Sequence, residues 1–143
     1  MGMVFQFGNL IPELTLLENV MLPLQLLGER AGVAKPRALD LLDSLEVADV
    51  SGRRAGTVSG GQAQRAAVAR ALVHAPSVVF ADEPTGALDT VSADRVLDAL
   101  LGLAREIGST VMVVTHENRI AAHCDRLLTM RDGATTAHQP VTG

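Results

Sequence analysis

Along this 143-residue chain the spacing of apolar positions changes several times, and each change marks a boundary between elements. Val4, Phe5 and Phe7, with Gln6 among them, read as the end of a short strand that runs into a loop at Gly8 and Asn9. Thr15 followed by Glu18 has the form of a capping box, opening a helix through Val20, Leu24 and Leu27 that stops near Gly28. Pro23 lies inside that stretch and predicts a kink or a division into shorter pieces. Residues 28–32 read as a turn. From Pro36 an amphipathic helix follows, its apolar face built from Ala38, Leu41, Leu42 and Leu45. Residues 51–58 are polar and contain glycine, which predicts a loop.

Ser59-Gly60-Gly61 opens a third helix, rich in Ala and Arg, that runs to His74 and is ended by Ala75-Pro76. Residues 77–81 form a continuous apolar run between a proline and two acids, the pattern of a strand buried on both faces. A long helix is predicted over 91–107, and Gly108-Ser109 turns the chain into a second buried strand over 110–114. A short helix over 118–124 leads to a third strand over 127–130, then a turn at Arg131-Asp132-Gly133 and a frayed tail after Ala137. The order is helical first, then alternating strand and helix, which implies parallel strands joined by right-handed crossovers. Ligands of such sheets bind beyond the carboxyl ends of the strands. Asp82 and Glu83 follow one strand and His116 follows the next, so both sets fall at such an edge.

Composition narrows the classes. Nearly half of the chain is apolar (48%), which suits one globular domain. A net charge of -4 with no basic block argues against a nucleic-acid surface, which needs clustered Lys and Arg. Three Phe with no Tyr or Trp leave little for base stacking. Cys124 is the only cysteine, so no internal disulfide can form and a reducing cytoplasm is expected. No apolar run reaches the roughly 18–20 residues that span a bilayer. Residues 1–28 are apolar, but they lack a basic n-region and are interrupted by Glu13 and Glu18, so no signal peptide is expected.

Four local features bear on chemistry. An apolar strand ending in Asp82-Glu83 delivers adjacent carboxylates that point in different directions. One could face a Mg²⁺ ion, which prefers oxygen ligands, and the other could act as general base on water. A solvated acidic turn would look the same. Val58-Ser59-Gly60-Gly61-Gln62 leaves unshielded backbone N–H groups at a helix start, where anions are favoured, although an ordinary N-cap has that form too. Thr115-His116 places an imidazole near the acids, and the amide of Gln6 could reach the same rim.

In order and spacing these residues resemble the ABC ATPase family. Phe5-Gln6 resembles its Q-loop and Ser59-Gly60-Gly61-Gln62 its signature motif. Asp82-Glu83-Pro84-Thr85 resembles the end of Walker B, Ala87-Leu88-Asp89 the D-loop, and His116 the switch histidine. Residues 9–20 look most like the branch containing lipoprotein-release and macrolide-export ATPases and a related cell-division ATPase. The resemblance implies an α/β fold: an incomplete P-loop NTPase (RecA-like) parallel-sheet core with the ABC-specific helical subdomain. That subdomain would span about residues 10–75, and residues from about 76 to 143 would form the Walker B, D-loop and H-loop part.

It also implies roles. Asp82 and Gln6 would serve the Mg²⁺ environment, Glu83 the hydrolytic water and His116 the γ-phosphate. Ser59, Gly60, Gly61 and Gln62 would bind ATP held by the opposite subunit of a dimer, and Asp89 would communicate across it. The partner would be a transmembrane permease, placing the protein on the cytoplasmic face of the cell membrane. Chromosome-maintenance or DNA-repair members of the family, with long coiled coils, are the competing class, and no heptad run supports them. A non-enzymatic remnant is the third.

One expected motif is missing from these 143 residues. No G-x-x-x-x-G-K-[ST] loop occurs, and the only lysine, Lys35, stands between Ala34 and Pro36 without a glycine framework. The expectation is a chain lacking the N-terminal part that would carry that loop, and inactive by itself.

Overall fold

The computed structural model describes residues 1–6 and 8–140. Phe7, expected to close the first strand, and residues 141–143 of the tail lie outside them. Strand β1 (Gly2–Phe5) is followed by helices α1 (Leu16–Leu26) and α2 (Ala31–Ser44), two short 3-10 turns, and helix α3 (Gly60–Leu72). Then come β2 (Val78–Asp82), α4 (Thr90–Glu106), β3 (Thr110–Val114), the single-turn helix α5 (Asn118–Ala121), β4 (Arg126–Arg131) and β5 (Ala134–Pro140).

The three strands β1, β2 and β3 form one parallel sheet in that spatial order, as the strand–helix–strand spacing requires. The rows align Phe5 with Asp82 and Asp82 with Val114, so all three strands end together. On one face the sheet meets α3 and α4: Val4, Val79 and Ala81 are buried with Val68, Ala69, Leu72, Val96 and Leu100. Beside it, α1 and α2 pack their own stripe of Leu16, Val20, Leu24, Ala38 and Leu42 into the same continuous core. Contact is tight where β1 passes α3. A Cβ on Gly2 would lie 2.2 Å from the carbonyl oxygen of Ala71, so only glycine fits.

Several elements differ from expectation. Helix α1 runs unbroken with Pro23 inside it, because four buried apolar side chains hold both halves to the core. Its Thr15 cap is half a capping box, Thr15 Oγ1 accepting from the N–H of Glu18 at 3.0 Å. Helix α2 starts at Ala31 rather than at Pro36, and the buried Ala34 shows why: the core-facing stripe extends one turn further back. Strand β3 is not buried. It is an edge strand, with Met112 49% and Val114 55% exposed. Strand β2 is fully buried only on the helix side, at Val79 and Ala81.

Met3, Phe80 and Met112 form a row across the opposite face, and no described element covers it. Parallel sheets normally bury both faces, which makes this row unusual. The last strand does not join the parallel sheet either. Strands β4 and β5 make a separate antiparallel hairpin through a turn at Asp132 and Gly133, both at positive φ, and β5 continues through the residues expected to fray. No helix among the described residues is long and apolar enough to cross a membrane.

One buried side chain braces the part of the β1–α1 segment nearest the helix. Asn19, wholly inaccessible, accepts from the Ile11 N–H at 2.8 Å and donates to the carbonyls of Ile11 at 3.0 Å and Thr15 at 2.9 Å. Asn19→Ala would remove the side-chain partner of the Ile11 N–H and C=O. A loss of about 1–3 kcal/mol is expected in urea unfolding. The bare sheet face makes a second prediction: Met112→Lys should lower the fluorescence of the hydrophobic dye ANS bound to the chain, at little cost in stability, and an unchanged signal would mean the row is not accessible.

Candidate functional site

The common end of the three parallel strands brings together three of the sequence motifs. Gln6 follows β1, Glu83 follows β2, and Thr115 and His116 follow β3. The β2–β3 ladder extends one step past Asp82, the Glu83 N–H donating to Val114 O at 2.8 Å. There the chain bends: Glu83 has φ of 44°, a left-handed conformation that costs a non-glycine residue roughly 1–2 kcal/mol. The bend turns its carboxylate away from its neighbour's and toward β3.

Three donors converge on Glu83. His116 Nδ1 lies 2.6 Å from Oε1, the His116 backbone N–H donates to the same oxygen at 3.1 Å, and Thr115 Oγ1 donates to Oε2 at 3.1 Å. A carboxylate can only accept, so the contact places the imidazole proton on Nδ1. Thr115 in turn accepts from the Glu117 N–H at 3.1 Å, which fixes its hydroxyl. Partial burial raises the Glu83 pKa, but the bonds from His116 and Thr115 outweigh it and hold the carboxyl below its ordinary value. The same hydrogen bond, reinforced by the negative charge of Glu83, holds the exposed His116 imidazole protonated above its usual range.

Asp82, next door, is exposed, and among the described residues its carboxylate makes no hydrogen bond or ion pair. Together with Phe5, Gln6, Asn9 and Glu83 it lines an open cavity of about 220 Å³. The adjacent acids therefore stand in different surroundings, one tied to a histidine and one free in a pocket. The Gln6 side chain lies against Gly86, where a Cβ would come within 2.9 Å of its Nε2. That glycine leaves the amide its place. Among the described residues no cluster of three or more His, Cys, Asp or Glu could hold a metal. The oxygen donors of Asp82 and Gln6 suit Mg²⁺ with its remaining positions filled by water or phosphate, the usual mode for that ion.

The glycine-opened helix stands apart from these contacts. Ser59 caps α3 in a full capping box, Oγ accepting from the Gln62 N–H at 3.2 Å and the Ser59 N–H donating to Gln62 Oε1 at 3.0 Å. Ser59 and Gly60 are exposed, Gly61 and Gln62 half-exposed, and a Cβ on either glycine would meet nothing within 4 Å. Intrachain packing therefore gives no reason for two glycines. Asp89 caps α4 by accepting from the Ser92 N–H at 3.1 Å, and the Ser92 side chain, together with that backbone bond, lowers its pKa.

Two residues that sequence reasoning left without a role complete the rim. Gln64 is 2% exposed, and its Nε2 donates to Phe5 O at 2.9 Å and to Pro84 O. Arg70 donates to Asn9 O at 3.0 Å and Gly8 O at 2.8 Å, and burial lowers its pKa. The available signal was a glutamine in phase with the buried Ala67, Val68 and Ala71 of its helix. For Gly86 there was none.

Comparison with known proteins agrees with this geometry. The model of the family described as ABC transporter matches residues 1–86, more than half of the chain. The lipoprotein-releasing system ATP-binding protein LolD of Legionella pneumophila (strain Paris) is 42% identical over 139 residues, covering 97% of this chain and 61% of its own. The protein of the same name from Porphyromonas gingivalis is 44% identical over 133 residues, 93% of this chain and 61% of its own. A dimeric structure of the ATP-binding cassette MJ0796, in a post-hydrolysis state bound to ADP and Pi, superposes with a TM-score of 0.85 at 38% identity. That match covers 99% of this chain and 63% of the other. The chain thus spans about three fifths of the length of the relatives it matches. By the family match, the sequence identity and the shared α/β architecture, it belongs to the ABC transporter family.

Proposed function

We propose that this chain carries the hydrolytic rim and the signature helix of an ATP-hydrolysing transport subunit. The observation that carries the reading is the 2.6 Å contact between Glu83 and His116 beside the Asp82–Gln6 pocket, at the carboxyl end of a parallel sheet. Phosphoryl transfer depends on positioning and on electrostatic stabilisation. In this reading Glu83, held by His116, Thr115 and a backbone N–H, orients the attacking water. His116, whose Nε2 remains free of Glu83, presents a donor to the terminal phosphate. Asp82 and Gln6 hold Mg²⁺, which would neutralise charge on the phosphates.

Residues from about 10 to 75 serve as the helical signature subdomain and those from about 76 to 143 as part of the α/β core. Ser59, Gly60, Gly61 and Gln62 act on nucleotide held by a second subunit. The exposure of Ser59 and Gly60 and the open space where a Cβ on either glycine would lie support that assignment, since anions are favoured at a helix N-terminus. Asp89, besides capping α4, faces the same dimer interface. The assembly sits on the cytoplasmic face of the membrane through a permease, which engages Gln6 and residues 10–27. Relatives named for lipoprotein release favour an exporting or extracting machine over a DNA-repair ATPase.

Because these 143 residues contain no lysine in a glycine-rich phosphate loop, the chain by itself is expected not to hydrolyse ATP. Phosphate release from the purified chain, abolished by Glu83→Gln, would overturn that. The Glu83–His116 contact gives a pH test that needs no nucleotide. A histidine with a raised pKa contributes its stability at low pH and loses it as pH rises through the raised midpoint. A carboxyl with a lowered pKa contributes above its ordinary value and loses it as pH falls. The pair therefore contributes fully between the ordinary carboxylate and ordinary histidine values, and its contribution fades as pH rises through the raised histidine midpoint. In an NMR titration His116 should hold its proton to higher pH than a free histidine, and Glu83→Gln should bring the midpoint down toward the ordinary value.

A further inference from the structure

We propose that Gln64 is a positioning residue, fixing the Gln6 and Glu83 loops to the helix that Ser59 opens. The inference rests on reading Gln6 and Glu83 as site residues. Its basis is what the side chain joins. The β1–β2 ladder ends at the Phe5–Asp82 pair, and beyond it the two chains leave as loops. Gln64 supplies the next rung. One buried amide nitrogen donates to the carbonyl just before Gln6 and to the carbonyl just after Glu83. The Pro84 carbonyl is buried, where water cannot replace the lost donor, while the partly buried Phe5 carbonyl also accepts from the Gly8 N–H at 3.0 Å.

The same residue sits four positions after Gly60 on α3, roughly 6 Å along the axis at 1.5 Å per residue. A rigid helical turn therefore lies between the helix start that intrachain packing leaves open and the rung that sets the rim. Gln64 thus gives α3 a direct hydrogen-bonded link to both loops at once, beside the link that Arg70 makes to Gly8 and Asn9. Gly86 shares in this: the Gln6 side chain rests on it two residues past Pro84, so displacing the Pro84 carbonyl shifts the support under Gln6 as well.

A merely structural glutamine would lose stability on substitution and leave the rim chemistry unchanged. Arg70 is the natural control, because it ties the far part of α3 to Gly8 and Asn9 and touches neither Glu83 nor His116. The experiment is an NMR titration of His116 in the nucleotide-free chain, so its failure is separate from failure of the ATP reading. Gln64→Met should lower the His116 midpoint toward that of a free histidine, whereas Arg70→Met should lower the melting temperature and leave the midpoint in place. Gln64→Asn keeps the amide on a stem one methylene shorter and serves if Gln64→Met does not fold. It too should lower the midpoint. An unchanged midpoint in a folded Gln64 variant, or an equal drop in Arg70→Met, overturns the proposal.

Discussion

Parallel strands in register deliver their ends to one edge, and here that register decides what the edge contains. Phe5, Asp82 and Val114 lie in one row, so the residues that come next are the amide of Gln6, the carboxylate of Glu83 and the hydroxyl and imidazole of Thr115 and His116. Alternation along a strand has a period of two. Sliding β3 by one residue would exchange its faces and carry Thr115 away from Glu83. The buried Val79 and Ala81 hold β2 to one face choice, and glycine at position 2 lets β1 approach α3 closely enough to match it. The chemistry of the rim is thus a product of core packing several residues away.

Local bending then divides labour between neighbours. Asp82 still obeys the strand and stays in the pocket, whereas Glu83 has entered the left-handed region and reaches across to β3. Two identical functional groups one residue apart acquire opposite circumstances, one screened by three donors and the other open. A single positive φ is enough to separate them.

Much of this was legible beforehand. The caps at Thr15 and Ser59, the bounds of β3 and the Asp132-Gly133 turn follow from local chemistry that tertiary structure does not override. That Gln6, Asp82, Glu83 and His116 fall at one sheet edge was visible because motif spacing and strand ends coincide. What was misjudged depended on context. Apolar runs announce burial, but only the sheet order reveals that β3 is an edge, and only neighbouring helices explain why Pro23 and Pro36 sit inside helices. Gln64 escaped because a buried amide surrounded by alanines has no motif of its own. Its partners are backbone carbonyls, which any sequence possesses.

The bare face of the sheet has a practical side. Two of its three central side chains, Met3 and Met112, end in thioethers open to solvent. Such side chains adapt their shape to whatever lies against them, and they are readily converted to polar sulfoxides by mild oxidants. A preparation aged in air would therefore grow less sticky without any change in fold, and improved solubility during storage would record damage to this surface rather than recovery.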